Sequence, residues 1–227
     1  FFENFATGFT RGDPDLEPEQ ARSSEVGAEY VVLRGDLVVG ASWFDQRFRN
    51  LIQYTFNTPT PEDPNYYNVG AARARGLELS ASARTGSLTA AASYTYTSTR
   101  VTDDGFGEDM TFQDGRRLLR RPTHQASVNA SLRLTSAATA LLGARYTGSR
   151  DDLDFTDPAQ FNGIRTTLGE YTVVDAGLVY GIVRGDGPTV DISAGVRNVV
   201  DREYQEIYNF PTPGRVLYLG FRAGVGL

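Results

Sequence analysis

Over residues 214–227 the chain alternates without a break. Leu217, Leu219, Phe221, Ala223, Val225 and Leu227 are apolar, and Tyr218, Gly220, Arg222, Gly224 and Gly226 between them are small or polar. Successive side chains of a β-strand point to opposite faces, so a period of two writes one greasy face and one wet face. The pattern recurs upstream. It runs through Val26, Ala28, Tyr30 and Val32, then through Leu37, Val39, Ala41 and Trp43. It returns at residues 77–83, 88–96, 126–134, 140–146, 174–182 and 190–196, for a total of about nine strands. No apolar run approaches the roughly 20 residues of a membrane helix. Only helices and closed barrels satisfy every backbone polar group in lipid. A membrane chain with this pattern is therefore an antiparallel transmembrane β-barrel.

The connections carry a second regularity. Short turns at residues 34–36, 85–87, 136–137 and 185–188 alternate with long polar segments at 55–66, 102–117, 150–168 and 201–215. Outer-membrane barrels have short periplasmic turns and longer extracellular loops. With the long loops outside, Trp43, Tyr94, Tyr96 and Tyr146 fall toward the outer strand ends, and Tyr30 and Tyr180 toward the inner ends. Two such rings of aromatics suit the two membrane interfaces, where a side chain buries its body and wets its tip. The opposite face is rich in Ser, Thr, Gly, Asn, Glu and Arg, as a wet or plugged lumen requires. A soluble sandwich would instead bury its greasy faces against each other.

Charge and composition remove other classes. The 227 residues carry a net charge of −6, which argues against a nucleic-acid partner. Cysteine is absent, so there are no disulfides or thiolate metal sites. His124 is the sole histidine, and without a nucleophile and base in any recognisable arrangement the chain does not read as an enzyme; no cofactor is implied. The acidic runs Asp151, Asp152, Asp154, Asp157 and Asp103, Asp104, Glu108, Asp114 could offer oxygen ligands to Ca²⁺, but neither matches a known calcium loop, and solvated loop charge is the simpler reading. Arg116, Arg117, Arg120 and Arg121 form a basic cluster. It could meet an anionic ligand such as a ferric chelate, or a lipopolysaccharide phosphate, or pair with the acidic loop beside it. The opening at Phe1, without Met or leader, reads as part of a longer chain.

Several motifs add a family resemblance. Gly12-Asp13-Pro14-Asp15-Leu16-Glu17-Pro18-Glu19, followed by Glu25-Val26-Gly27, resembles a signature of the TonB-dependent outer-membrane receptors. So, in the family's order, do Phe44 with Leu51-Ile52, Asn68-Val69-Gly70 with Gly76-Leu77-Glu78, Arg120-Arg121-Pro122 with His124, Tyr171 with Asp175, residues 196–204, and Pro213-Gly214-Arg215. Asp13 stands where Asn is usual, and Leu227 where Phe is common. Pro14 and Pro18 stiffen a strand entry without donating a hydrogen bond. Asn198 and Asp201 can bond local backbone and end a strand. The resemblance implies that residues 1–227 are the C-terminal portion of a larger barrel of about 22 strands, with the plug domain and N-terminal strands absent. It further implies energised uptake across the bacterial outer membrane. The partners would be membrane lipid, the TonB complex reached through the plug, and a small ligand: a ferric siderophore, the commonest class, or cobalamin, haem or an oligosaccharide. A passive porin or structural barrel is the alternative.

Overall fold

The computed structural model describes residues 2–55, 58–105, 111–159, 163–183 and 188–224. Nine antiparallel strands form one sheet: β1 (Gln20–Val32), β2 (Leu37–Tyr54), β3 (Tyr66–Thr85), β4 (Leu88–Asp103), β5 (His124–Arg133), β6 (Ala138–Thr147), β9 (Tyr171–Val183), β10 (Thr189–Arg197) and β13 (Val216–Gly224). Each pairs with its neighbour in chain order once two small hairpins are set aside. Those hairpins are β7 (Arg150–Asp154) with β8 (Ile164–Leu168), and β11 (Gln205–Ile207) with β12 (Phe210–Pro211). They lie inside two of the segments expected to be plain loops. A four-residue helix, Phe2–Phe5, precedes the sheet.

Register converts the alternation into belts. One cross-strand row runs through Val32, Leu37, Ala83, Ala90, Ala130, Leu142, Ala176, Val196 and Leu217, apolar on all nine strands. A row of opposite parity runs through Glu29, Gly40, Ser80, Ser93, Ser127 and Arg145. There the Ser93 and Ser127 hydroxyls meet at 2.8 Å. The apolar face is bare: Leu142 is 51% exposed and Leu178 43%, with no second layer packed on it among the described residues. An antiparallel sheet in water covers such a face; in a bilayer, lipid covers it.

The terminal strand is the extreme case, with Leu217, Leu219 and Phe221 72–87% exposed and Ala223 exposed beside them. Val225 and Leu227, expected to continue this face, lie outside the described residues. On the opposite face Tyr218 lies across Gly195 and Gly177, where a Cβ would come within 2.3 Å and 2.9 Å of its ring or hydroxyl. The Arg197 guanidinium sits 5.8 Å from the same ring. The two glycines thus make room for one large side chain against the inner wall. β1 and β13 border the sheet, with no strand beyond either among the described residues.

Candidate functional site at the outer mouth

The motifs that are scattered along the sequence converge at the long-loop end, in two knots. In the first, the Glu17 N–H donates to Asn68 Oδ1 at 2.6 Å and Asn68 Nδ2 returns a bond to the Glu17 carbonyl at 2.8 Å. Asn50 Nδ2 donates to the Glu17 carboxylate at 3.0 Å. Asn50 has a positive φ of 54° where the β2–β3 register shifts, and just beyond it the Ile52 N–H donates to Glu19 Oε1 at 2.9 Å. In the second knot, Asp175 accepts the Asn198 N–H at 2.8 Å. Buried Asn198 closes a reciprocal pair with the Arg202 backbone, at 2.8 and 2.9 Å. Asp201 accepts the Arg215 N–H at 2.7 Å. A buried or strained backbone turn needs such partners for its free N–H and C=O groups.

A third junction ties three loops together through two neighbouring carboxylates. Asp151 accepts from Arg117 at 2.7 Å and from Arg165 at 3.1 Å. Asp152, fully buried, accepts from Arg120 Nε at 2.7 Å, from the Tyr208 N–H at 2.8 Å and from the Leu153 N–H at 2.9 Å. Burial pushes the Asp152 carboxyl up, but those three donors outweigh it and hold its pKa below the ordinary carboxylate value. Arg120 itself has φ 56°, and its backbone N–H donates to the Asp151 carbonyl at 2.7 Å. Beside this junction Arg150 is buried with its guanidinium 5.4 Å from the Tyr171 ring, and Tyr171 stacks on Tyr204 at 4.3 Å.

The β4–β5 loop folds inward over the mouth. Phe112 packs on Ala72 and Val101, with Phe48, Leu51 and Leu118 around them. This small core lies on the lumen-facing parity, which explains why Ala72, Ala74, Thr99 and Val101 are buried while Arg75 and Arg100 on the opposite parity are exposed. Below it is a recess of about 380 Å³ bordered by Glu25, Phe44, Phe48, Glu78, Leu118 and Arg121. Phe44 lies over Gly76, where a Cβ would stand 2.0 Å from the Tyr96 carbonyl oxygen and 2.7 Å from the Phe44 ring. Gly76→Ala is expected to destabilise the barrel by about 1–3 kcal/mol through overpacking, read as a lower urea midpoint, whereas Ser80→Ala on the same face is expected to leave it unchanged.

The basic cluster does not form a single patch. Arg117 and Arg120 are held by Asp151 and Asp152; their partners sit in the β6–β9 loop rather than in the adjoining acidic segment. Arg116 is exposed and uses its carbonyl to accept the Val101 N–H at 2.9 Å, and Arg121 borders the recess. Six of the carboxylates weighed as calcium ligands accept protein donors: Asp151 and Asp152 in the junction, Asp103 and Asp104 from the Gly105 and Asp114 N–H groups, and Asp154 and Asp157 from Thr156 and Ala159 in tight turns. Glu108 lies outside the described residues. Trp43 and Tyr96 share one cross-strand row, and Tyr94 and Tyr146 the next one inward. Tyr30 and Tyr180 stand nearer the short turns, 70% and 47% exposed. His124 joins this outward face: its Nδ1 is 2.8 Å from the Tyr94 hydroxyl, and its ring packs 5.4 Å from Tyr96.

A single sheet with a bare apolar outside, a polar inside and a loop folded into its mouth defines a segment of a transmembrane β-barrel. The family follows from comparison with known proteins. A sequence model described as "TonB dependent receptor-like, beta-barrel" matches residues 1–199. The chain is 30% identical over 213 residues to the vitamin B12 transporter BtuB of Vibrio cholerae, covering 92% of this chain and 30% of that protein. It is 31% identical over 194 residues to the ferrichrome outer membrane transporter/phage receptor of Escherichia coli K12, covering 82% of this chain and 23% of that protein. The crystal structure of the ferric-catecholate import receptor Fiu from E. coli superposes with a TM-score of 0.74 at 25% identity, over 97% of this chain and 29% of the other. The chain belongs to the TonB-dependent receptors, integral proteins of the bacterial outer membrane. It spans less than a third of the length of these relatives.

Proposed function

We propose that residues 1–227 are the C-terminal portion of a receptor barrel whose plug and N-terminal strands lie elsewhere in the whole protein, and that this receptor imports a ferric siderophore with energy delivered through TonB. The observation that carries the reading is the outer mouth: three loops, one of them folded inward, locked together by Asp151 and Asp152 above a polar inner wall. Such a rim presents a preorganised binding surface, which lowers the ordering cost of capturing a scarce ligand. The bare backbone edges of β1 and β13 support the larger barrel, since unpaired strand edges do not persist in hydrocarbon. Solved structures resembling the chain include receptors named for ferric catecholates, ferripyoverdine and ferric citrate, and one sequence relative is named for ferrichrome; these support the siderophore, with cobalamin as the second reading from the relative named for vitamin B12.

The test is uptake of radiolabelled ferric siderophores, cobalamin and haem by cells whose only receptor is the full-length protein. Uptake of at least one ferric siderophore is expected, falling to background when TonB is deleted. Undiminished uptake without TonB would identify a passive barrel, and uptake of cobalamin or haem alone would reassign the ligand.

A further inference from the structure

Above the outer aromatic row, the lipid-facing parity changes abruptly from apolar to cationic. One step beyond Val26, Trp43, Leu77 and Tyr96, the register places Ser24, Asp45, Arg75 and Ser98. The next step places Arg22, Arg47, Arg73 and Arg100, an arginine on each of four adjacent strands in one row. Arg49, opposite Gln20, extends it. Asp45 is the only acid on this parity in these rows; it takes Arg73 through two nitrogens and lies 3.7 Å from Arg47 Nε. Arg22 and Arg100 are exposed and have no ion pair among the described residues. In a chain of net charge −6, so many guanidiniums on one outward patch are a local reversal of sign.

We infer that this row binds phosphate groups of the lipid in the outer leaflet. Height decides it. A strand rises about 3.3 Å per residue and crosses the membrane tilted by about 45°. Arg75 therefore stands about 5 Å above Leu77, and on each of the four strands the arginine stands about 9 Å above that strand's residue in the aromatic row. The headgroup zone is roughly 5–7 Å deep on each side of the hydrocarbon. Arginines rooted there lower their heads along the wall into the phosphate layer, and their planar forks match phosphate oxygens bidentately. Strands spaced about 4.8 Å apart spread the four side chains over roughly 14 Å along a row that itself climbs by about 10 Å with the same tilt, so they meet more than one phosphate at more than one depth. The surface differs from the ligand-facing mouth: it lies outside the barrel wall, and Arg116 and Arg121 take no part in it.

The experiment uses the full-length receptor purified in neutral detergent, with lipopolysaccharide, dephosphorylated lipopolysaccharide and inorganic phosphate as probes. The unsubstituted receptor is expected to bind the phosphorylated lipid, with affinity falling as salt rises, and to bind the dephosphorylated form poorly. Each guanidinium removed costs about fivefold, so Arg22→Gln/Arg47→Gln/Arg100→Gln should bind on the order of a hundredfold more weakly. Arg84→Gln/Arg133→Gln/Arg145→Gln, which removes equal charge from the inner wall, should bind as the unsubstituted protein does. Should the first triple variant fail to fold, Arg22→Gln/Arg100→Gln leaves both partners of Asp45 in place and is expected to lose roughly 25-fold. Equal losses in both triple variants, undiminished binding in the row variants, equal affinity for the dephosphorylated lipid, or displacement by inorganic phosphate at matched concentration would each overturn the assignment. None of these readouts involves siderophore uptake, so the lipid site and the transport reading can fail separately.

Discussion

Leu142→Arg should destabilise the receptor in lipid vesicles by about 2–4 kcal/mol, the cost of a cationic side chain near the bilayer midplane. Leu142 occupies the middle of the row that is apolar on all nine strands, and half of its surface is uncovered by protein. The same exposure on a water-soluble protein would make the substitution nearly silent, within about 0.5 kcal/mol. The two environments are therefore separated by several times the error of a urea titration. Leu141 supplies an internal control, one residue away and facing the lumen, where it is 39% exposed. Leu141→Arg is expected to shift the urea midpoint far less, because a wet interior solvates the charge. Equal costs at the two positions would mean that the apolar face does not meet hydrocarbon.

The wall of the barrel was legible in the sequence because its determinants are local. Period-two alternation fixes which side chains share a face, and turn residues bound each run. The nine wall strands and the short-turn, long-loop asymmetry follow from these two signals. What escaped depends on residues far apart in the chain. The β7–β8 hairpin reads as an acidic loop, since Arg150-Asp151-Asp152-Leu153-Asp154 has one aliphatic residue and no greasy face to count. The partners of that run are 14 to 56 residues away: Arg165 on β8, and Arg120, Arg117 and the Tyr208 N–H outside the hairpin. The β11–β12 hairpin is only five residues of strand in all and is held by similar loop contacts. The arginine row is invisible for a different reason. Arg22, Arg47, Arg73 and Arg100 look like isolated surface charges until the pairing register brings them side by side. The motifs behaved in between: Asn198 and Asp201 were readable as local backbone binders and bond within the β10–β13 loop, whereas Asn68 was legible only as part of a family motif, and the fold shows it tying the Glu17 segment to β2.

Asp152→Ala should release the outer mouth while leaving the wall folded. The carboxylate is fully buried and takes three donors, two of them backbone N–H groups. Each hydrogen bond to a charged group contributes about 1.5–3 kcal/mol, and each buried donor left unsatisfied costs about 1–3 kcal/mol. A local loss of about 3–5 kcal/mol is expected, since some of it is recovered when the loops open to water. Amide exchange should accelerate about a hundredfold or more at Tyr208 and Leu153, with strand amides such as those of Ala130 and Leu142 unchanged. Acid should reproduce the effect. Folding lowers the Asp152 pKa, so its contribution is complete above the ordinary carboxylate value near ~3.9 and is lost as pH falls through the lower folded value. Protection at Tyr208 should therefore be flat from pH 7 down to about 5 and decline only below about 4. Asp151→Ala removes a carboxylate that takes only side-chain donors, Arg117 and Arg165, which can turn toward water as backbone N–H groups cannot, and should cost less. Protection that survives Asp152→Ala, or that collapses already near neutral pH, would place the lock on the loops somewhere other than this carboxylate.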